Sequence, residues 1–284
     1  MRVSVNVLRG NPNAVATCEA MARGISACGD VAIKRHDTDW DMAGYDAAVL
    51  WGYVDSCQRV INECKQRGMP WVFIDNGYAL RKTHFKVAVN DRHPTAYIAK
   101  LKTASDRFEQ WGVEIQPWQH PSKPDAPILL AGMSGKSAWS WGLEFEEWER
   151  ATADKLRQHS NRPIVYRPKA NSLQAKPIPG TIMERDKGKN VNLGGVHCVV
   201  THHSNIGCDA MLQGVPVFTR YGAALPLAAS DSRLDLLECP IISFERDQWA
   251  ANLAYCQWSK AEMASGACWR NIRWMLDGLV DAIG

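Results

Sequence analysis

The clearest guide to the fold is one stretch in the second half of the chain: Val199-Val-Thr-His-His-Ser-Asn-Ile-Gly-Cys-Asp-Ala-Met-Leu-Gln-Gly-Val-Pro-Val217. Both ends are short apolar runs without alternation, a pattern typical of strands buried on both faces. Between them lie a polar turn, a helix-length segment and Gly214, a residue type that commonly ends helices. The stretch therefore predicts a strand–helix–strand unit with parallel strands, as in α/β proteins.

The same rhythm extends through the rest of the chain. Predicted strands alternate with helices in the first half, and the rhythm restarts at Ile128–Ala131 after the proline-rich segment Pro117–Pro127, whose composition is typical of a linker. Two α/β domains are therefore expected, residues 1–120 and residues 121–284, each with a largely parallel sheet. Two helices, Gln248–Ser259 and Glu262–Leu279, are expected to close the chain.

Composition excludes several classes of protein. The chain has 284 residues, of which 46% are hydrophobic and 22% charged, so it is an ordinary globular sequence. A net charge of +3 neither demands nor excludes a nucleic-acid partner. The absence of a signal peptide and of any long apolar run leads us to expect a cytoplasmic protein without membrane insertion. Nine cysteines without CxxC spacing predict free thiols and no metal site.

The turn after Val199–Thr201 carries the first candidate site residues. Ser204 and Asn205 lie where the helix is expected to begin, and His202 and His203 precede them. The amino end of a helix presents unpaired N–H groups and a positive partial charge, which together favour anions. The alternative is that Ser204 only caps the helix and Asp209 is only a surface acid.

Two further loops of the second half are candidates for the same site. The run Pro163-Ile-Val-Tyr-Arg-Pro-Lys169 ends in two cations that suit a diphosphate, or else forms an exposed basic turn. The run Gly132-Met-Ser-Gly-Lys-Ser137 is two residues shorter than a phosphate-binding P-loop, so that motif is excluded. Gly132 and Ser134 remain candidates to line a ligand site, and a plain turn is the alternative.

The first half offers a candidate base. Asp75 follows an apolar strand and precedes Asn76-Gly77, and ligands of open α/β sheets bind beyond the carboxyl ends of strands. A carboxylate there suits the removal of a proton from a hydroxyl, although aspartate is also common in turns. The rival candidates for the base are His36, Asp37, Asp39 and His93.

The segment Tyr78–Lys102 is strongly basic. It contains six Lys and Arg residues against one acid, interleaved with aromatic residues. Such a pattern suits a phosphate backbone and a displaced base, or else forms a solvated charged face. The candidate acceptor-binding residues in this half are Gly10, Asn11, Arg81, Lys82, Lys86, Asn90, Arg92 and His93.

Two motifs together resemble a known family. The residues Ser204, Asp209, Ala210, Gly214, Pro216 and Val217, with Arg167-Pro-Lys169, resemble the donor-binding half of GT-B glycosyltransferases. The resemblance is strongest to the sugar transferases of capsule polysaccharides and to their phage relatives. It implies two Rossmann-like domains that face a cleft, with the C-terminal helix packed back on the first domain. This sequence departs from the family at Asp209, where Glu is common, and at Lys169, where His is common.

The resemblance also implies a reaction. The co-substrate would be a nucleotide sugar, UDP-linked, and no metal or other cofactor would be needed. The implied donor-binding residues are Arg167, Lys169, His202, His203, Ser204, Asn205, Asp209, Gly132 and Ser134, and Trp139 and Trp141 are candidates for a cleft wall. The expected acceptor is a 5-hydroxymethylpyrimidine of phage DNA, with Asp75 as the base.

Two alternatives stay open. One is a glycosyltransferase that acts on a surface polysaccharide, and the other is a non-catalytic protein that binds nucleotides or DNA on the same scaffold. The oligomeric state is also open.

Overall fold

The computed structural model describes residues 1–184 and 192–277. The chain divides into two compact units, Met1–Pro94 with Tyr255–Gly284, and Thr95–Ala254. The boundary expected near residue 120 lies inside the second unit. Backbone N–H groups of Gln116 and Gln119 donate to the carbonyls of Leu212 and Gly214, so this stretch is bound to its own unit.

The first unit is built on a six-stranded sheet, whose strands are β1 Arg2–Val7, β2 Val31–His36, β3 Ala47–Trp51, β4 Trp71–Asn76, β5 His84–Val89 and β12 Gln257–Ser259. Their order across the sheet is β12-β5-β4-β3-β1-β2. Neighbouring strands among β1 to β4 are parallel, whereas β5 is antiparallel to β4 and β12 is antiparallel to β5. The helices are α1 Pro12–Ala27, α2 Asp55–Gln66, α9 Lys260–Ala264 and α10 Ala267–Leu276.

Helices cover both faces of this sheet. Val5 and Val49 pack on one face with residues of α1, α9 and α10, and Leu50 packs on the other face with residues of α2. A Cβ atom at Gly24 of α1 would lie 1.8 Å from the carbonyl oxygen of Met263 in α9, so only glycine fits this helix contact. The expected packing of the C-terminal helices on the first unit is therefore confirmed.

The C-terminal segment corrects two element predictions. Gln257–Ser259, expected to be helical, is strand β12, because the side-chain oxygen of Gln257 accepts from the N–H groups of Tyr78 and Ala79 and the strand pairs with β5. The single helix expected over Glu262–Leu279 is instead α9 and α10, separated at Gly266, where φ is +83°. Leu279 lies outside the described residues.

The described part of the second unit has a sheet of six parallel strands, which are β6 Ile128–Ala131, β7 Ile164–Arg167, β8 Ile182–Met183, β9 Cys198–Thr201, β10 Val217–Thr219 and β11 Ala229–Ser230. Their order across the sheet is β11-β10-β9-β6-β7-β8. The helices are α3 Thr95–Lys100, α4 Asp106–Glu109, α5 Gly135–Ser140, α6 Glu147–His159, α7 Ile206–Leu212 and α8 Arg246–Ala254. The predicted α/β class with largely parallel sheets is confirmed in both units.

The second sheet has a switch point at β6. This strand pairs with β7 on one side and with β9 on the other, so the order of strands reverses there. Leu156 of α6 packs on the face that carries Leu130 and Val200, whereas Gly207 of α7 lies against Val217 and Thr201 on the opposite face. Open α/β sheets bind ligands beyond the carboxyl ends of strands at such a point.

Candidate functional site

The strand register of the second unit gathers the predicted loops at one edge. Ala131 at the end of β6 is aligned with Arg167 at the end of β7 and with Thr201 at the end of β9. The loops that begin at Gly132, Pro168 and His202 therefore all leave the sheet at its carboxyl edge. Eight of the nine residues proposed for donor binding lie at this edge, and the ninth, Asp209, lies in the following helix α7.

Side-chain contacts join these three loops. Lys169 Nζ donates to Ser204 Oγ over 3.2 Å, which joins the loop after β7 to the loop after β9. His203 Nε2 and Ser137 Oγ are 2.7 Å apart, which joins the loop after β9 to α5 and thus to the loop after β6. Cationic, imidazole and hydroxyl groups are thereby placed side by side at the switch point.

The two histidines form a coupled pair. Their Nδ1 atoms are 2.8 Å apart, so one ring must donate a proton and the other must accept it. His202 is only 2% exposed. Burial and the charge of Arg220 together lower the pKa of His202 to about 4, although the charge of Asp231 acts in the opposite direction. His202 is therefore neutral near pH 7, and its contact with Nδ1 of His203 holds the two rings against each other.

Aromatic rings surround this pair. The ring centroid of Trp141 lies 5.1 Å from that of His202, 5.7 Å from that of His203 and 5.1 Å from that of Tyr221. Trp139, the other candidate for a wall, is exposed on α5. Trp141 thus belongs to the site edge of the second unit.

Arg167 is engaged by a residue that the sequence did not single out. The Nη1 atom of its guanidinium lies 2.6 Å from Glu184 Oε1, and the Arg167 side chain is mostly buried. A diphosphate at this edge would compete with the Glu184 carboxylate for Arg167. Asp209 lies one turn into α7, whose first residue Ile206 follows Asn205.

The loop after β6 has a different structure from a phosphate-binding loop. Ser134 caps α5, because its hydroxyl accepts from the N–H of Ser137 over 3.2 Å. The N–H of Met133 donates to Oε1 of the buried Glu149 over 2.6 Å. Sequence reasoning missed Glu149, whose only signal was its position in the first turn of α6.

The carboxyl edge of the first unit carries some of the remaining candidates. Asp75 is the next-to-last residue of β4, and its Oδ1 accepts from the N–H of Asn76 over 2.8 Å. Gly10 and Asn11 follow β1, and the side-chain oxygen of Asn11 accepts from the N–H groups of Asn13 and Ala14, so Asn11 caps α1.

Three of the four rival bases, His36, Asp37 and Asp39, contact one another at the end of β2. His36 Nδ1 lies 3.2 Å from Asp37 Oδ1, and Asp37 Oδ2 accepts from the hydroxyl of Ser56 over 3.1 Å. Asp39 Oδ2 accepts from the backbone N–H of His36.

The basic segment does not form one charged surface. Lys86 is 5% exposed and lies within 5.5 Å of the Phe73 ring centroid. Arg92 stacks 3.9 Å from the Tyr53 ring centroid, and burial lowers the pKa of Arg92 to about 10. His93 is buried and contacts the Tyr78 hydroxyl at 2.9 Å. Among the described side chains, packing thus removes several of the predicted phosphate contacts from the surface.

The three remaining acceptor candidates lie at opposite ends of β4. Arg81 and Lys82 are exposed between β4 and β5, on the same edge as Asp75. Asn90 lies beside Trp71, the first residue of β4. Its backbone N–H donates to the carbonyl of Trp71, and its side-chain oxygen accepts from the N–H of Trp71. The structure therefore does not bring Asn90 together with Asp75.

Residues 1–184 and 192–277 include every cysteine of the chain. All nine cysteines are free thiols, as predicted. Within these residues no group of three or more His, Cys, Asp or Glu side chains is arranged to hold a metal ion. The same residues contain no helix that combines the length and the apolar character of a membrane span.

Comparison with known proteins identifies the fold. No protein-family model matches the sequence, and no curated protein matches it significantly. The β-Kdo 2,7-transferase of Thermosulfurimonas dismutans KpsC matches with a TM-score of 0.53 and 15% identity, over 89% of this chain and 89% of that chain. The β-Kdo 2,4-transferase of the same KpsC matches with a TM-score of 0.51 and 12% identity, over 88% of this chain and 89% of that one. The chain has their fold. At this identity the likeness confirms the GT-B-like α/β architecture and nothing finer.

Proposed function

We propose that this chain is a glycosyltransferase that takes a sugar from a nucleotide-sugar donor. The observation that carries the proposal is the meeting of Lys169, Ser204, His203 and Ser137 at the switch point of the second sheet. This is the edge at which α/β sheets bind ligands, and the groups present there suit phosphate oxygens. The fold shared with two sugar transferases supports the same function.

Each group at this edge has a proposed role. Lys169 and His203 would offset the charge that develops on the diphosphate as the sugar leaves, and Ser204 would donate a hydrogen bond to it. Asp209 would bind a hydroxyl of the ribose or the sugar, and Arg167 would exchange its Glu184 partner for phosphate. With Lys169 and Arg167 as cations, transfer would require neither a metal nor another cofactor, and UDP is the proposed nucleotide.

The acceptor is proposed to be a hydroxyl group, with Asp75 as the base that removes its proton. A 5-hydroxymethylpyrimidine of DNA remains the first candidate, because Arg81 and Lys82 are exposed on the edge that carries Asp75. The burial of Lys86 and His93 favours a second candidate, a saccharide. Both structural neighbours are Kdo transferases, which supports this second candidate.

Donor binding tests the proposal directly. Calorimetry with UDP-, GDP-, TDP- and CMP-linked sugars should show binding of one class. The Lys169→Ala variant should bind that donor at least about tenfold more weakly, because a charge-assisted hydrogen bond is lost. Lys155→Ala, which removes an exposed lysine of α6, is the matched control and should leave the affinity unchanged. The proposal fails if no nucleotide sugar binds, or if Lys169→Ala binds as tightly as the wild type.

The mass of the reaction product distinguishes the two acceptor candidates. The protein and its donor are incubated with DNA that contains 5-hydroxymethyluracil or 5-hydroxymethylcytosine, and in parallel with saccharide acceptors. A gain in mass of one sugar on a nucleoside selects DNA, and the same gain on a glycan selects the saccharide. Binding of the donor without transfer to either acceptor would favour the non-catalytic alternative.

A further inference from the structure

The peptide between Gly132 and Met133 has a fixed orientation at the switch point. The N–H of Met133 donates to Glu149 Oε1 over 2.6 Å, and the Glu149 side chain is fully buried. The N–H of Gly132 donates to the carbonyl of Arg167 over 2.9 Å, which holds the other side of Gly132 to β7. The loop therefore leaves β6 with its first two N–H groups already used inside the protein.

The direction of the Gly132 carbonyl follows from this. In a planar trans peptide the C=O of one residue points opposite to the N–H of the next. Because the N–H of Met133 points at Glu149 of α6, the Gly132 carbonyl points away from the face that α6 covers. The opposite face carries α7, which is preceded by the turn His202–Asn205. The carbonyl is thus directed to the side of the sheet that α7 covers, where the turn His202–Asn205 leads into that helix.

Packing prevents Glu149 and Gly132 from changing position. A Cβ atom at residue 132 would lie 3.0 Å from Tyr166 Cε2 and 3.1 Å from Glu149 Oε1. The Tyr166 hydroxyl donates to Glu146 Oε1 over 3.0 Å, and Arg150 holds the other oxygen of Glu146 at 2.8 Å. Glu146 itself adopts a φ of +64°, a strained conformation that such contacts must maintain.

The carboxyl group of Glu149 is bound by the backbone N–H of Met133 and by its own backbone N–H. Among the described residues its Oε2 atom is buried and has no hydrogen-bond partner. Burial raises the pKa of Glu149, and the nearby Glu146 acts in the same direction. A buried carboxyl with one oxygen left without a hydrogen bond is costly to keep for stability alone, so it points to a positioning role.

We infer that Glu149 is a positioning residue that turns the Gly132 carbonyl toward the bound donor, so that the loop after β6 accepts a hydrogen bond from a donor hydroxyl. This inference rests on the proposed function. A carbonyl oxygen repels phosphate oxygens and accepts from O–H groups, so the loop would select a hydroxyl rather than the diphosphate. The hydroxyl has two possible sources, the ribose and the transferred sugar.

Deletion of single hydroxyls tests the inference on the wild-type protein. Binding of UDP is compared with binding of 2′-deoxy-UDP and 3′-deoxy-UDP, and UDP-glucose is compared with its monodeoxy-glucose analogues. If the donor screen selects CMP, the same series is made with CMP and its sugar. One deletion should weaken binding about tenfold, which corresponds to a lost hydrogen bond. A ribose analogue or a sugar analogue identifies the source. Equal binding of all analogues overturns the inference.

Two variants then assign that selectivity to Glu149. Glu149→Gln retains an oxygen that can accept from Met133, so it should retain the tenfold preference. The methionine of Glu149→Met has similar length but no acceptor of comparable strength, so the peptide between Gly132 and Met133 is released. The preference for the natural donor over the deoxy analogue should then disappear. Thermal unfolding of the variant shows whether it is folded. Glu147→Met, an exposed change in the same helix, is the control. An undiminished preference in a folded Glu149→Met variant also overturns the inference.

The outcomes separate the two proposals. If no nucleotide sugar binds the wild type, the proposed function itself fails. If the donor binds, but without selectivity for a hydroxyl, only the role of Glu149 and Gly132 fails. If Glu149→Met does not fold, the wild-type analogue series still decides whether a hydroxyl is recognised.

Discussion

At the scale of single residues, the structure separates candidates that sequence reasoning treated alike. Asn11 and Ser134 are helix caps, and Arg167 is paired with Glu184. Lys169 and His203 instead connect different loops at the switch point. These differences arise because a side chain's partner depends on the neighbouring loop, which one stretch of sequence does not contain.

Asp75→Asn tests the proposed base. The amide keeps an oxygen that can accept from Asn76, so the turn should be retained, whereas the ability to take a proton is lost. We expect transfer to slow by about 100-fold or more, with the donor affinity unchanged, measured as the initial rate of product formation. Asp41→Asn, an exposed carboxylate of the same unit, is the control. Undiminished transfer by Asp75→Asn would return attention to Asp37 and His36.

At the scale of elements, two glycines at helix ends have the same left-handed conformation but different surroundings. Gly214 follows α7 with a φ of +74°, and a Cβ atom there would lie 1.9 Å from the carbonyl oxygen of Pro117. Gly68 follows α2 with a φ of +63°, and a Cβ atom there would meet nothing within 4 Å. The two positions share the conformation but differ in available space.

This pair gives a prediction on stability. Gly68→Ala should cost about 1–2 kcal/mol of unfolding free energy, which is the penalty of a left-handed conformation. Gly214→Ala adds a collision with backbone, so its cost should exceed that of Gly68→Ala by about 2 kcal/mol or more. Urea unfolding of both variants measures the difference. Equal costs would mean that the segment at Pro117 moves away without penalty.

At the scale of the whole molecule, one carboxylate joins distant parts of the first unit. Asp30 Oδ1 lies 2.5 Å from the amino group of Met1, and Oδ2 accepts from the Trp269 indole over 2.7 Å and from Arg273 over 2.9 Å. Burial alone would raise the pKa of Asp30, but these donors and the charge of Arg273 together lower it. The carboxylate therefore attaches α10 to the first strands of the chain.

The lowered pKa fixes the sign of a pH dependence. The contribution of Asp30 is present above the pKa of the unfolded chain, about 3.9, and is lost as the pH falls through the lower value of the folded state. Asp30→Asn should reduce the unfolding free energy at pH 7 by about 2 kcal/mol, and the difference from wild type should shrink below about pH 4. Urea unfolding across this range measures it, with Asp41→Asn as the control. A difference that does not depend on pH would refute the charge-based account.

The sequence alone determined the alternation of elements and therefore the α/β class. Buried parallel strands such as Val199–Thr201 are continuously apolar, and helix ends such as Gly214 carry their own conformational signal. It also placed Lys169, His202 and Ser204 on loops after strands, because a loop's position is a local property.

Only the tertiary structure decided which of these loops meet. It paired Gln257–Ser259 with β5 where local propensity favoured a helix, and it bound the peptide of Met133 to Glu149. It also packed Lys86 under aromatic rings, so that a cation counted from the sequence is not available at the surface. These contacts join residues far apart along the chain, and their free energies exceed the local preferences of a few residues.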